Sequence, residues 1–239
     1  MKILNLYAGI GGNRKLWGDE HKITAVENNP EIAKIYSKMF PEDNVVVDDA
    51  IDYLEKHFHE FDLVWASPPC QTHSRINRFN VARRYNGEHK IKVKLPDYRL
   101  YAIINFLATY FRGHWVVENT YSDYEPLIKP QLIGRHFIWS NWILSKFNGN
   151  AFHNVDEHLS LKKLCELYDY DYDYFQQLKI KSIDKKQLLR NCVSPNLGLH
   201  ILNNGLKTKQ QTVSDFFPTE RIIASDRNSD KDPDIKRNK

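Results

Sequence analysis

The stretch Trp65-Ala66-Ser67-Pro68-Pro69-Cys70 closes an apolar run with a cysteine held behind two prolines. A cysteine so placed is either packing at a turn or a nucleophile presented over a pocket, and its partners favour the second. Glu118-Asn119 closes another apolar run, "HWVVENT". A glutamate raised in pKa by burial can protonate a ring nitrogen while a thiolate adds to an electron-poor ring carbon. Arg135 suits either a ring carbonyl or the glutamate itself.

A second group of residues fits a cofactor. Tyr7-Ala8-Gly9-Ile10-Gly11-Gly12 follows the short apolar run "KILNL", and glycines there let backbone approach a ligand closely. Glu27, ending the next apolar run, suits the two hydroxyls of a ribose. Asp49 ends the third and can accept from an adenine amino group. There is no P-loop lysine and no arginine set for phosphates, so a nucleoside-type cofactor such as S-adenosylmethionine fits best.

The elements that must position these residues alternate. "KILNL", "KITAV", "NVVV", "FDLVWA", "HWVVENT" and "HFIWSNWIL" read as six strands. Helices are expected from near Asn13, over Pro30 to Met39 with proline as a first helical residue, over Ile51 to Phe58, and in "YRLYAIINFLATYF". This rhythm predicts an α/β chain with a Rossmann-like, mostly parallel doubly wound sheet. Ligands of such sheets sit at the carboxyl ends of strands, where the glycine turn, Glu27, Asp49, Cys70 and Glu118 fall. Residues 1–140 are expected to form the core, 141–186 a small recognition insertion of two short helices around a turn, and 187–206 the return to the core. The Asp169-x-Asp171-x-Asp173 spacing resembles a calcium loop, but Tyr174 stands where glycine is required, so no metal site is read there.

At 239 residues the chain is long enough for one well-filled domain. No apolar run approaches the roughly 20 residues of a membrane helix. Three cysteines, Cys70, Cys165 and Cys192, give neither a disulfide framework nor a zinc spacing, which predicts an intracellular, cytoplasmic setting. The net charge of +4 is modest, but Lys and Arg cluster after Cys70, at Arg75, Arg78, Arg83 and Arg84 among others. That cluster suits phosphate contacts. Richness in Lys, Asn, Tyr and Ile matches an AT-rich genome such as that of a phage.

Taken in order, these segments resemble the motifs of the DNA cytosine-5 methyltransferases from Lys2 to about Asn204. "LNLYAGIGG" is similar to the first motif, with Tyr7 where a phenylalanine usually stacks on adenine. Glu27 and Asp49 resemble the acids of the next two motifs, and "PPCQTHS" the nucleophile motif. "PDYRLYAIINFL" matches the Asp-x-Arg segment, "VVENT" the Glu-Asn motif, and "GRHFIW" half of an Arg-x-Arg element, Ile133 replacing the first arginine. "RNCVSP" resembles the late motif that closes the cofactor pocket, with Arg190 where glycine is usual. The resemblance implies a monomer that flips cytosine out of double-stranded DNA, with Cys70, Glu118, Asn119 and Arg135 as its catalytic set. It further implies cofactor contacts from Tyr7 through Gly12 and from Glu27, Asn28, Asp49, Ala50, Pro68, Leu100, Arg190, Asn191 and Val193. His73 and Ser74 join the arginines that follow as DNA contacts.

Departures from the family pattern leave other readings open. The short recognition interval keeps a transfer-RNA cytosine-5 methyltransferase as an alternative, since flipping costs little in a loop. A cation at Arg190 could favour carboxy-S-adenosylmethionine and a 5-carboxymethylcytosine product. An inactive DNA- or clamp-binding module is the third alternative. In "KQQTVSDFFP", Gln210, Val213, Phe216 and Phe217 are spaced like a peptide that docks on sliding clamps. The tail of residues 207–239 is expected to be disordered apart from that peptide.

Overall fold

The computed structural model describes residues 1–74, 94–149 and 159–207. Seven strands form one sheet: β1 (Lys2–Leu6), β2 (Lys22–Val26), β3 (Asn44–Val46), β4 (Leu63–Ala66), β5 (His114–Thr120), β6 (Gln131–Ile133) and β7 (His136–Ser140). Their order is β3-β2-β1-β4-β5-β7-β6, with β1 to β5 parallel and β7 antiparallel to both neighbours. The chain winds outward from β1 to β3, then returns to start again at β4, which pairs directly with β1. The strand order therefore reverses between β1 and β4, and that crevice is where an open α/β sheet binds ligands.

Alternation along the central strands feeds two cores. Leu4, Leu6, Val64, Ala66 and Val117 face α2 (Ala50–His57) and α3 (Arg99–Tyr110), whose Leu54, Ile104 and Leu107 are nearly sealed. Ile3, Leu63, Trp65, Val116 and Ile138 face Leu197 and Ile201 of the last helix, α7 (Pro195–Lys207). All five tryptophans are at most 2% exposed, divided between the two faces. Each large apolar side chain so buried stabilises the fold by roughly 1.5–3 kcal/mol. A third cluster joins Ile10 and the α1 (Pro30–Met39) residues Ile32 and Ile35 to α4 (Leu161–Tyr168), α5 (Tyr172–Gln177) and α6 (Lys185–Arg190). No helix among the described residues is long and apolar enough to cross a membrane.

Local chemistry explains the helix starts. The Asn29 side chain accepts from the N–H groups of Glu31 and Ile32, with Pro30 as the first helical residue. Asp49 does the same for Ile51 and Asp52 at the head of α2.

Two expectations about elements are corrected. The helix foreseen near Asn13 is a 3-10 turn of Arg14–Leu16, ended by Gly18 in the left-handed region at φ +81°. Its Arg14 side chain is drawn to Asp43 at 3.0 Å and over the Phe40 ring, and α7 occupies the space beside it. The run read as a sixth strand is β7; β6, three residues between Pro130 and the Gly134-Arg135 turn, precedes it and is too short to show a period. Arg75, Arg78, Arg83, Arg84, Gln210, Val213, Phe216 and Phe217 lie outside the described residues.

Gly198 of α7 lies against the backbone of Asn13, where an added Cβ would collide with the Asn13 carbonyl oxygen and Cα. Backbone cannot swing aside as a flexible side chain does. Gly198→Ala is therefore expected to destabilise the fold by about 1–3 kcal/mol, read as a lower urea midpoint at unchanged slope. An unshifted midpoint would mean that α7 does not dock this tightly.

Candidate active site

A cleft of about 320 Å³ opens at the β1/β4 crossover and is lined by the turns after β1, β2, β4 and β5, the start of α2, and the Arg190–Val193 segment. It gathers Cys70, Glu118 and Asn119 with every cofactor candidate except Gly11 and Leu100. Gly11, at φ +78°, is packed against the rings of Tyr36 and Phe40. Leu100 is 2% exposed in the core beneath α3; its neighbour Arg99 reaches the cleft instead. One residue of rotation on a helix exchanges a core face for a site face.

The cofactor half is built from backbone. Tyr7, at φ +55°, and Gly9, at φ +56°, turn the chain sharply after β1. A non-glycine residue in that region stores of order 1 kcal/mol, a strain that collects at functional sites. An added Cβ on Gly9 would meet nothing within 4 Å, so the open side of the turn faces the cleft. Gly12 is the opposite case: its added Cβ would lie 2.5 Å from the Val193 carbonyl oxygen, and only glycine lets the late segment close down here. Glu27 is 9% exposed and accepts from the N–H groups of Gly9 and Asn29, each at 3.0 Å. Burial pushes its carboxyl up, and those two N–H groups pull it back down. Asp49 lines the cleft while its Oδ1 caps α2. Its charge, after burial, helps push the Tyr7 hydroxyl up to about 12. A carboxylate for hydroxyls, a second acid and a phenol ring around an open glycine turn fit a nucleoside ligand such as S-adenosylmethionine.

The reactive half sits across the cleft. After β4, Pro68 and Pro69 lead to Cys70, whose carbonyl accepts from the N–H groups of His73 and Ser74, both at 3.0 Å. The buried Asn119 amide donates to the Pro68 carbonyl at 2.9 Å, so it holds the nucleophile's turn rather than reaching the cleft's contents with that group. Burial, then the charge of Glu118, raises the Cys70 thiol to about 11. The resting side chain is therefore a thiol. It gains nucleophilicity only when the cleft's charge changes.

Three candidates stand elsewhere. Arg135 is exposed, because Gly134 (φ +65°) and Arg135 form the two-residue turn joining β6 to β7. A glycine first in such a turn matches the II′ hairpin type, whose second residue points away from the sheet. His136, the first residue of β7, is the one that meets Glu118, with Nδ1 2.7 Å from Oε1. The Gly-Arg pair between apolar runs was the available signal. His73 is 2% exposed and bonded through Nδ1 to the Tyr124 hydroxyl at 2.6 Å, with burial pushing its ring pKa down. Its ring, buried against that hydroxyl, anchors the turn. Ser74 is half-buried at the end of the same turn, and its hydroxyl is sealed from solvent. Thr72 accepts from the Asp97 N–H at 3.0 Å, so the chain entering and leaving residues 75–93 is pinned at one base.

Comparisons with known proteins agree with this arrangement. Residues 1–87 match the family model of C-5 cytosine-specific DNA methylases, a span holding the glycine turn, Glu27, Asp49 and Cys70. Among solved structures, the chain is similar to the Entamoeba histolytica methyltransferase EhMeth, with 13% identity, a TM-score of 0.50 and coverage of 85% of this chain and 97% of that one. Spodoptera frugiperda DNMT2 is 27% identical, with a TM-score of 0.33, over 50% of this chain and 35% of that one. A putative DNA modification methyltransferase encoded in an E. coli prophage is 20% identical, with a TM-score of 0.34, over 50% and 32%. No curated protein matches the chain.

Alkylation of Cys70 by iodoacetamide, read by peptide mass spectrometry, is expected to keep accelerating toward pH about 11. An ordinary thiol levels off near about 8.5. Glu118→Gln removes the repelling charge, and the rise should move to lower pH. A profile identical to wild type would show that Glu118 does not act on the sulfur.

Proposed function

We propose that this chain, matched by the C-5 cytosine-specific DNA methylase model through its nucleophile turn, transfers a methyl group from S-adenosylmethionine to C5 of cytosine in DNA. The observation that carries this reading is the convergence of Cys70 and Glu118, from β4 and β5, opposite the glycine turn of β1 in one cleft. S-adenosylmethionine supplies the electrophilic methyl. Tyr7, Gly9, Glu27 and Asp49 would hold its nucleoside, with Arg190, Asn191 and Val193 closing over it.

The protein's own residues do the rest. Cys70 adds to C6, which places electron density on C5. Glu118 supplies a proton to N3, and that protonation makes C6 accept the sulfur. The two events help each other: while Glu118 still holds the proton it does not repel the thiolate beside it, and once the sulfur is bonded to C6 no thiolate remains for the ionised Glu118 to repel. Asn119 keeps the turn in place through the Pro68 carbonyl. A cytosine paired in a duplex cannot enter such a cleft, so the base must be flipped out, at a cost of a few kcal/mol in stacking and pairing.

The domain reading follows. Residues 1–140 and 187–206 build the cleft, and 141–186 has its helices α4 and α5 packed on α1 beside Ile10, at the cofactor's side of the site. Recognition would then rest on few groups and be short.

Nucleoside mass spectrometry after incubation with DNA or transfer RNA and S-adenosylmethionine tests the assignment. The expected product is 5-methylcytosine in DNA, with Cys70→Ala lowering it by at least about 10³-fold, as loss of a covalent nucleophile does. Product confined to RNA, or full activity in Cys70→Ala, would refute the reading. The same assay with carboxy-S-adenosylmethionine decides whether Arg190 selects the donor.

A further inference from the structure

In the antiparallel pairing of β5 with β7, Thr120 stands opposite His136 and Glu118 opposite Ile138. Opposed residues share a face, so Glu118 and His136 are diagonal neighbours on one side of the sheet. His136 Nδ1 is 2.7 Å from Glu118 Oε1, Glu118 is 6% exposed, and both line the cleft with Cys70. Among the described residues, Ile133 of β6 stands opposite His136, the exposed Arg135 precedes it in the turn, and from the β4 turn Cys70 lies close enough for Glu118 to act on its charge.

A carboxyl group that gives up a proton during a reaction needs a source for the next, and a histidine nitrogen in hydrogen-bond contact is such a source.

We propose that His136 is the positioning residue that fixes Glu118 through Oε1 and restores the proton Glu118 gives to the cytosine ring. The proposal rests on the cytosine reading above. As the Cys70 sulfur bonds to C6, the thiol proton leaves to water and the C5–C6 π pair moves toward C4. The C4–N3 π pair settles on N3, which takes a proton from Glu118 as Glu118 takes one from His136 Nδ1–H, so the Glu118–His136 pair gives up one proton and imidazolium becomes imidazole. The C4–C5 π pair then bonds C5 to the methyl group, whose bond to the donor sulfur breaks with its pair left on that sulfur. The N3 pair restores the C4–N3 double bond and N3 returns its proton to the Glu118–His136 pair. The C5 proton leaves to water, its bonding pair restores the C5–C6 double bond, and the C6–S bond breaks as the thiolate departs.

The test uses the full chain, a cytosine-containing DNA duplex and S-adenosylmethionine. His136→Ala is expected to lower kcat by about 10²-fold with little change in KM for S-adenosylmethionine. His136→Gln keeps an N–H for Glu118 but has no proton to pass on, so its kcat is expected to fall by a similar factor at unchanged KM. A His136→Gln protein with the kcat of wild type would overturn the proposal, even if His136→Ala folds poorly. Apart from activity, the His136 ring-nitrogen NMR signal should move in Glu118→Gln, since its hydrogen-bond partner changes. An unmoved signal would overturn the pairing alone. A moved signal in a protein that methylates no cytosine would overturn the proton's destination together with the cytosine reading.

Discussion

The register that sets Leu6 beside Ala66 is the constraint from which the site follows. Because β1 and β4 are parallel neighbours, the turns that leave them emerge side by side at the same edge of the sheet. One carries Tyr7 to Gly12 and the other Pro68 to Cys70. A slip of one residue would turn Leu4 and Leu6 out of one core and Asn5 into it. Asn5 is fully buried, and its side chain meets Asn13 in a reciprocal pair of amide bonds, one at 2.9 Å. That pair fastens the far end of the glycine turn to the strand it left, so the backbone around the cleft is held at both ends.

Charge within the cleft is rationed by proximity. Cys70 and Glu118 are both acids, and in a cleft this sheltered the ionised form of one opposes the ionised form of the other. The arrangement is poor for a free-standing reactive thiol and well suited to a reaction in which one acid is neutralised as the other ionises. An unliganded protein of this kind is protected from adventitious oxidants, which attack thiolates and not thiols.

Much of this was readable from the residues. The cap at Asn29-Pro30 and the alternation of apolar runs state α1 and the central strands outright, and Cys70, Glu118, Glu27 and Asp49 fall at strand ends where a doubly wound sheet collects its ligands. What was not readable depended on which way a side chain points. Arg135 and His136 are adjacent in sequence, and only the two-residue turn at Gly134 decides which faces Glu118. Arg99 and Leu100 differ by one helical position, one opening on the cleft and the other sealed in the core. His73 is polar and follows the nucleophile, yet the Tyr124 hydroxyl and the space beneath the turn claim it. Composition states that a residue can do chemistry, whereas register states whether it is turned toward the substrate.

The bond from the Asp97 N–H to Thr72 ties together two points of the backbone 25 residues apart and has a consequence for Cys70. The turn that carries the sulfur is closed independently, by the His73 and Ser74 N–H groups on the Cys70 carbonyl. Cys70 is therefore held over the cleft by short-range bonds of its own, and substitution of the chain beyond the tie is expected to leave it there.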